Sequence, residues 1–506
     1  MLQRTDPVAG PTENRSSPAT PLLGALLVFA FVCITPAVLN DGDTYWHITS
    51  GSWMLDHRAL PRVDPFSYTF AGKPWQAHEW LSEILMALAY RISGWSGIVV
   101  LSAVAFAATA GLLLRHLGRF LPPTPQITVA VLSLSCGAGT LLARPHLLAL
   151  PILTYWTIAL LNARSRQRAP SIWLTPLIAL WANLHDSYLV GLALIGVFAL
   201  EAILDPVQNR LDAVRGWAVF AAVSAIMALA TPFGSDGILF PLRLMSMPGL
   251  GYIGEWQPMS LSRVQPLEVC VAALAWVWVT RRMKVPAVRA VLLAVLLYLA
   301  IAHVRHAMIA GVVGAAVLAE PLGLVFGARG ASRGNATIAS HQRVKLAAVA
   351  MALVLVAALR LTVPIIRSDD ISSPVSALRH LPPGLEHAPV LNDYAFGGYL
   401  IFNGIRPFVD SRAELYGDKF LQDYARIIRP DAAALAGTLA ANSIVWTILA
   451  PGNPAAGELD RLGWRRIYAD RWAVVHLRAG TPALADLANA RLVRRMLNLA
   501  LTTRKP

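Results

Sequence analysis

Apolar segments long enough to cross a lipid bilayer recur along most of this chain. A helix needs about 20 predominantly apolar residues to span the hydrocarbon core of a membrane. Eleven segments meet this requirement to within a few residues, at approximately 20–39, 96–115, 126–143, 145–162, 170–184, 187–204, 215–231, 265–280, 288–303, 306–326 and 345–364. The sequence therefore predicts an α-helical polytopic membrane protein with about eleven transmembrane helices.

The composition supports a membrane protein. The 506 residues are 56% hydrophobic and only 14% charged, unlike those of an ordinary soluble domain. The formal net charge of +14 could suggest a nucleic-acid partner, but the basic residues fall in short groups between apolar segments, which is how membrane topology is encoded. We therefore expect membrane lipid, and no nucleic acid, among the partners. Cys33, Cys136 and Cys270 lie within separate apolar stretches and predict no disulfide.

The distribution of Lys and Arg predicts the orientation of the chain. The apolar stretch 80–93 is either a further span or a helix lying in the interface. If it lies in the interface, one set of loops carries 17 basic residues and the opposite set carries 7. Because cytoplasmic loops carry the excess, we expect the amino terminus inside and the carboxy-terminal region outside. Residues 1–19 predict a disordered cytoplasmic N-terminus, and the apolar run after them predicts an uncleaved signal anchor.

Residues 40–80, here called the outer loop, concentrate ionisable side chains beside the first predicted span. They include Asp41, Asp43, His47, Asp56, His57, Asp64, His78 and Glu79. Four tryptophans in the same stretch suit the headgroup region of a membrane. Any single polar residue here is explained by a loop that faces water, but such a concentration at a membrane surface indicates a functional site.

More ionisable residues are predicted on the same side of the membrane as the outer loop. They are Arg144, His146, His185, Glu255, Arg305 and His306. A structural role remains an alternative for each, because an arginine can snorkel to the interface and a histidine can satisfy its hydrogen bonds between helices. Since these residues come from separate span ends and loops, we expect them to converge with the outer loop on one extracytoplasmic cavity. The predicted cytoplasmic loops are short and mostly basic.

Beyond the last predicted span the composition changes. Residues 366–480 contain short β-like runs, at 444–449 and 472–477, that alternate with helical patterns, so they predict a small extracytoplasmic α/β domain. Gly397 and Gly398 lack the spacing and lysine of a phosphate-binding loop and predict a tight turn. Residues 481–506 predict a basic amphipathic tail, either solvated or lying on anionic lipid.

An acidic extracytoplasmic pocket beside a membrane suits sugar transfer from a lipid-linked donor. The acceptor hydroxyl needs a carboxylate base, and the leaving phosphate needs cationic partners or a divalent metal. Asp43 is the first candidate for the base, with Asp41 as its neighbour and Glu79 as a second acidic candidate. The candidates for binding the donor phosphate are Arg144, His146, His185, Arg305 and His306. Further pocket candidates are His47, His78 and Glu255. A Mg or Mn ion held by Asp41 and Asp43 is left open.

Several phrases of the sequence resemble a known family. They are DGDTYWHITSGSWML, PRVDPFSYTFAGKPWQAHEWL, ARPHLLALP, WANLHDSYLVG, TPFG and NDYAFGGYLIFNGIRPFVDSRAELYGD. These phrases are similar to a bacterial branch of the GT-C superfamily of integral membrane glycosyltransferases, and the likeness covers most of residues 20–480. The outer loop lacks the adjacent Asp-Glu pair of the protein O-mannosyltransferases, and the carboxy-terminal domain lacks the WWDYG-type phrase of the oligosaccharyltransferases, so both identities are disfavoured.

The resemblance implies a function and a location. It implies a polyprenyl-phosphate sugar donor and catalysis by the acidic residue of the first outer loop, which corresponds to Asp43 or Asp41. It also implies a place in the bacterial cytoplasmic membrane. We expect an extracytoplasmic glycan, lipid or protein acceptor. The leading prediction is an inverting glycosyltransferase. The alternatives are a transporter or flippase for a polyprenyl-linked sugar, which should bury ionisable residues in mid-span, and a non-catalytic assembly protein of envelope glycans.

Overall fold

The computed structural model of the chain describes residues 19–252, 254–260, 262–327, 339–429 and 431–481. Predictions for residues 1–18 and 482–506 lie outside the described residues. The described part of the chain is mostly helical and divides into two compact units. The helical unit comprises the described residues of 1–38, 89–242 and 253–364, and the mixed unit comprises those of 39–88, 243–252 and 365–506.

The described residues form eighteen α-helices and four β-strands. The helices up to the last predicted span are α1 Ala19–Ile34, α2 Asp43–His57, α3 Trp80–Leu117, α4 Pro123–Ser135, α5 Pro145–Ser165, α6 Pro176–Leu184, α7 Tyr188–Leu204, α8 Arg210–Ala228, α9 Ser235–Met245, α10 Pro266–Arg281, α11 Ala287–Ala302, α12 Ala307–Phe326 and α13 Ala339–Thr362. The later helices are α14 Val375–Arg379, α15 Gly397–Phe402, α16 Ala413–Ile427, α17 Ala432–Ala441 and α18 Pro454–Arg461. The strands are β1 Val390–Asn392, β2 Trp446–Leu449, β3 Arg465–Ala469 and β4 Val474–Leu477.

Each of the eleven predicted apolar segments contains a helix. Among the described residues, five helices are long and apolar enough to cross a membrane, namely Trp80–Leu117, Pro145–Ser165, Arg210–Ala228, Val304–Phe326 and Val344–Thr362. Shorter apolar helices cover four more of the predicted segments, at Thr20–Ile34, Ile172–Leu184, Tyr188–Leu204 and Ala287–Ala302. These helices are typical of a polytopic membrane protein, and the count of eleven spans stays a prediction.

Helix α3 contains a sharp break. Ser93 and Gly94 have non-helical backbone angles, and the φ of Gly94 is +54°, which favours glycine. In a straight helix, residues eight apart lie about 12 Å from each other. A Cβ atom on Gly97 would instead stand 1.9 Å from the carbonyl oxygen of Ala89, so the helix turns back on itself. The stretch 80–93 is therefore a separate helix from the predicted span at 96–115. This agrees with both predicted alternatives, a further span and a helix lying in the interface.

A buried ionic network lies at one end of the helices of the helical unit. Arg289 donates to both carboxylate oxygens of Glu201, at 3.0 and 3.1 Å, and to Glu320 at 3.4 Å. Arg164 donates to Asp205 at 3.0 Å. Both arginines are among the 17 basic residues counted for the predicted cytoplasmic loops. The structure pairs both with acidic residues from the ends of helices, so they also hold the bundle together.

The mixed unit contains a four-stranded sheet in the order β1-β2-β4-β3. β1 pairs with β2 in parallel, and β4 pairs antiparallel with both β2 and β3. The predicted strands at 444–449 and 472–477 are present as β2 and β4. Side chains of the sheet and of α15 form one buried core, which includes Val390, Trp446, Ile448, Val475, Leu477 and Leu400.

Gly397 and Gly398 begin α15, so the prediction of a tight turn is wrong. The backbone of Gly397 is helical, with φ −55° and ψ −46°. A Cβ atom on Gly398 would stand 2.1 Å from the carbonyl oxygen of Gly42, and one on Gly397 would stand 2.4 Å from that of Val409. Real Cβ atoms do not approach backbone so closely. Glycine at 398 therefore allows α15 to pack against the start of α2, and glycine at 397 allows it to pack against Val409 and Asp410.

The outer loop is joined to the carboxy-terminal domain by a fully buried ion network. Arg412 donates to Asp64 at 2.7 Å and to both oxygens of Asp410, at 2.6 and 2.8 Å. Its guanidinium also lies over the ring of Trp75, 4.7 Å from the centroid. Burial alone would lower the pKa of Arg412, but the adjacent Asp410 carboxylate raises this pKa well above its usual value. The tyrosine hydroxyl of Tyr416 donates to Asp410 at 2.7 Å.

Replacement of Arg412 tests this network. We expect Arg412→Met to lower the free energy of unfolding by about 3–5 kcal/mol, because it leaves two buried carboxylates without their cation. The matched control is Lys419→Met, which removes an exposed cation paired with Asp423 at 2.9 Å and should cost less than about 1 kcal/mol. Thermal unfolding of the purified full chain in detergent, followed by tryptophan fluorescence, measures both. Equal losses in the two variants would contradict a stabilising role for the network.

Candidate functional site

The predicted acidic candidates lie around the start of α2 in the mixed unit. Asp41 is buried, and its Oδ2 atom accepts hydrogen bonds from the backbone N–H and the hydroxyl of Thr44, each at 3.2 Å. A carboxylate that accepts from a first-turn N–H satisfies a donor that the helix itself leaves unpaired. Asp41 therefore has a structural role at the start of α2.

Asp43 is the first residue of α2 and is half-buried. The positive end of the helix dipole stabilises a negative charge at this position. Asp43 and His47 are four residues apart, so they lie on the same face of the helix, one turn apart. This face therefore carries a carboxylate and an imidazole.

His47 lies between two glutamates. Its Nδ1 atom is 3.3 Å from Oε1 of Glu83, and its Nε2 atom is 3.9 Å from Oε2 of Glu79. Glu83 is buried, and its second oxygen accepts a hydrogen bond from the hydroxyl of Ser50 at 2.7 Å. A carboxylate on one imidazole nitrogen fixes the orientation and tautomer of the ring. The structure thus brings His47 and Glu79 together.

Glu83 was missed by sequence reasoning. It lies within the apolar stretch 80–93, where it was passed over as part of a membrane-associated helix. Its spacing of four residues from Glu79 is the signal that could have found it, because that spacing places both carboxylates on one helix face. At Gly51 a Cβ atom would stand 1.9 Å from the carbonyl oxygen of Glu83, so α2 and the start of α3 are in direct backbone contact.

His78 belongs to a different group of side chains. It lies near Glu414, which accepts a hydrogen bond from the indole N–H of Trp75 at 3.1 Å. Burial raises the pKa of Glu414, and the neighbouring His78 acts in the opposite direction. His78 therefore faces the carboxy-terminal domain of the mixed unit, within reach of Glu414.

The predicted phosphate-binding residues converge in the helical unit. Arg144 donates to Oε2 of Glu255 at 2.7 Å, and Arg305 donates to Oε1 of the same carboxylate at 3.2 Å. The guanidinium of Arg305 also lies over the ring of Trp256, 4.4 Å from its centroid. The three ionic side chains remain partly exposed, at 19%, 30% and 29% for Arg144, Glu255 and Arg305. Sequence reasoning missed Trp256. The signal that could have found it is its position directly after Glu255 in a polar loop.

The predicted histidines surround this arginine cluster, here defined as Arg144, Glu255 and Arg305. His146 has Nε2 3.0 Å from the carbonyl oxygen of Thr140, and its ring centroid is 6.1 Å from that of His185. The ring of His306 lies against that of Trp256, with centroids 6.5 Å apart. The backbone N–H of Ser187 donates to Nδ1 of His185 at 3.0 Å. Each histidine therefore has an identified structural contact beside the cluster.

The arginine cluster has the chemistry of an anion site. Two guanidinium groups share one carboxylate, so the three side chains carry a formal charge of +1. Arginine matches the oxygen atoms of a phosphate by a two-pronged set of N–H donors. A phosphate that approached the cluster would find donors already positioned by Glu255.

The predicted site residues divide between the two units. Asp41, Asp43, His47, His78 and Glu79 lie in the mixed unit, and Arg144, His146, His185, Glu255, Arg305 and His306 lie in the helical unit. Among the described residues, no three His, Cys, Asp or Glu side chains are grouped so that they could hold a metal ion.

No protein-family model matches this chain, and no curated protein matches it. The indication of a function therefore comes from the chemistry of two clusters. One is the arginine cluster, and the other, here called the acidic cluster, comprises Asp43, His47, Glu79 and Glu83.

The raised pKa of Glu414 predicts a pH-dependent stability difference. The folded state holds the proton of the Glu414 carboxyl group more tightly than the unfolded chain does. The resulting stabilisation is present at low pH and is lost as the pH rises from 4.5 through the raised pKa of the folded state. Glu414→Gln keeps an acceptor for Trp75 but cannot ionise. We expect its midpoint of thermal unfolding, relative to that of the wild type, to rise between pH 4.5 and pH 8.

The control for this measurement is Glu386→Gln, which replaces an exposed carboxyl group. Its midpoint should stay close to that of the wild type at both pH values. A difference between Glu414→Gln and wild type that stays constant with pH would show that the buried carboxyl group does not titrate as described.

Proposed function

We propose that this protein is a membrane glycosyltransferase that transfers a sugar from a polyprenyl-phosphate-linked donor to an extracytoplasmic glycan or lipid acceptor. The observation that carries the proposal is the arginine cluster, because two partly exposed guanidinium groups on a single carboxylate suit the phosphate of such a donor. Apolar helices of membrane-spanning length give the chain access to a lipid-linked substrate. The resemblance of the outer loop to GT-C glycosyltransferases agrees with this chemistry.

The proposed reaction is a single displacement at the anomeric carbon. The acceptor hydroxyl gives its proton to the carboxylate of Asp43 as its oxygen attacks the sugar. The bond between the anomeric carbon and the phosphate oxygen breaks, and the phosphate leaves with the electron pair. The charge that develops on this phosphate needs cationic partners, for which Arg144 and Arg305 are the candidates. The configuration of the sugar inverts because attack and departure take place on opposite faces.

The environment of Asp43 favours its role as a base. A base must be ionised before it can accept a proton, and the amino-terminal end of α2 stabilises the ionised form. His47 lies one turn further along the same face, oriented by Glu83, and Glu79 is its other acidic neighbour. Glu79 therefore remains the second candidate for the base.

The finer topology is part of the same proposal. It consists of eleven spans in the bacterial cytoplasmic membrane, with the amino terminus inside and the carboxy-terminal domain outside. A transporter would be expected to bury ionisable groups in mid-span. The buried arginines Arg164 and Arg289 lie instead in the last turn of α5 and the first turn of α11, paired with acidic side chains near helix ends. This placement favours the enzyme over the transporter.

Asp43→Asn tests the assignment of the base. The exchange is nearly isosteric and removes the proton acceptor, so we expect sugar transfer to fall by at least about 100-fold. The measurement is sugar incorporation into envelope glycans and lipids, by mass spectrometry, in cells that lack the native gene and carry each variant at matched protein levels. Asp56→Asn, at the exposed end of α2, is the matched control and should behave as the wild type. Normal transfer by Asp43→Asn would refute the role of this carboxylate.

Arg305→Ala tests the phosphate-binding role of the arginine cluster. Loss of a charge-assisted contact should weaken binding of a short-chain polyprenyl monophosphate by about 10-fold or more. Binding of the corresponding polyprenol, which lacks the phosphate, should not change. Titration calorimetry on the purified full chain measures both ligands, with the exposed Arg263→Ala as the control. Unchanged affinity for the monophosphate, or an equal loss for the polyprenol, would count against the assignment.

A further inference from the structure

Two of the three cysteines lie in direct contact. The Sγ atoms of Cys136 and Cys270 are 3.4 Å apart, although the residues are separated by 134 positions in the sequence. Cys136 follows directly after α4, and Cys270 lies near the start of α10. Both thiols also donate to the carbonyl oxygen of Leu132, at 3.4 and 3.2 Å. The sequence predicted no disulfide, because each cysteine lies in its own apolar stretch.

Tight helix packing fixes the backbone around Cys136. A Cβ atom on Gly311 of α12 would stand 2.4 Å from the carbonyl oxygen of Ser133, and one on Gly137 would stand 2.3 Å from Cε of Met308. The end of α4 is therefore in close contact with α12 at Gly311. Cys136 belongs to a buried apolar cluster that includes Met259, Leu267 and Ala300, and Cys270 packs against this cluster.

The separation of the sulfur atoms is close to what a covalent bond requires. A disulfide has a sulfur–sulfur distance of about 2.05 Å, so the two atoms must approach each other by about 1.4 Å. Rotation of one thiol about its Cα–Cβ bond moves its sulfur while the packed backbone stays in place. The alternative is a purely structural role, in which both thiols stay reduced and pack as small apolar side chains.

We propose that Cys136 and Cys270 are a redox modification site that forms an intrachain disulfide. The co-reactant is an external disulfide, either of a small molecule or of a thiol–disulfide oxidoreductase. Cys270 is the more exposed of the two, so its thiolate attacks the external disulfide first and releases one thiol. The thiolate of Cys136 then attacks Sγ of Cys270 and releases the second thiol. The two cysteines lose two protons and two electrons, and the external disulfide gains them.

The cross-link would act next to the arginine cluster. Met259 belongs to the same apolar cluster as Cys136 and donates its backbone N–H to the carbonyl oxygen of Ile301 at 2.8 Å. The nearby carbonyl of Gln257 accepts from the backbone N–H of Val304 at 3.2 Å. Glu255 and Trp256 immediately precede this segment. A bond between α4 and α10 would therefore cross-link the apolar cluster that the segment after Glu255 joins at Met259.

The test treats the full-length chain in native membranes with dipyridyl disulfide, which supplies the external disulfide. The Cys33→Ser variant simplifies the result, since the chain has three cysteines and only the pair then remains. After an acid quench and denaturation, free thiols are labelled with a polyethylene glycol maleimide. We expect two labels before treatment and none after it, with both restored by reductant. Mass spectrometry should find a peptide cross-link between Cys136 and Cys270, a mass loss of two hydrogens and no pyridyl adduct.

Three outcomes would overturn the proposal. They are retention of both labels, separate pyridyl adducts on the two cysteines, and cross-links between two chains on a non-reducing gel. The wild-type chain gives the same answer without any substitution, because its cross-linked peptide is identified directly. As a control, the Cys33→Ser, Cys270→Ser chain should yield a pyridyl adduct or a free thiol at Cys136, and no cross-link.

Discussion

The buried network of Arg412, Asp64 and Asp410 is the constraint on which the mixed unit depends. Charges removed from water are tolerated only when every one has a partner. Here the carboxylate of Asp64 accepts from Arg412 and from the backbone N–H groups of Phe66 and Ser67, at 2.9 and 3.0 Å. Burial raises the pKa of Tyr416 well above its usual value, so its hydroxyl stays protonated and donates to Asp410. The outer loop is therefore an integral part of a folded domain.

These contacts fix the position of the acidic cluster within the mixed unit. Thr69 donates to the carbonyl oxygen of Phe408 at 2.7 Å, and Tyr68 donates to that of Val390 at 3.0 Å, which ties the loop to the carboxy-terminal domain at further points. α2 is in turn fixed by backbone contacts that exclude a side chain at Gly51 and at Gly398. A catalytic group is most effective when the surrounding structure fixes its position. Asp43 and His47 lie on a helix held in this way.

Much of the fold was predictable because its signals are local. Apolar segments of membrane-spanning length and short β-like runs are properties of consecutive residues, and helices and strands occur where they predicted them. The meeting of Arg144, Glu255 and Arg305 was also predictable, since all three follow or precede predicted spans at the same end. The outward orientation of that end remains a prediction.

The remaining features depend on contacts between residues far apart in sequence. Arg412 is one of many arginines, and nothing nearby in the sequence indicates that its partner is Asp64. Glu83 is hidden in an apolar stretch, and the contact of Cys136 with Cys270 arises only when α4 packs against α10. Gly397 and Gly398 illustrate a different limit. Glycine serves turns and close helix contacts equally, so sequence alone favoured the commoner explanation.

The proposed sugar transfer needs a base, for which Asp43 is the first candidate, and a cationic partner for the donor phosphate, for which the arginine cluster is the candidate. The central claim is therefore that this protein adds one sugar to an envelope glycan or lipid. Comparative mass spectrometry of glycolipids and glycans from cells with and without the gene tests it most directly. The account predicts that the deletion removes one specific sugar from one class of molecule and that the restored gene returns it. Identical profiles in both strains would contradict the account.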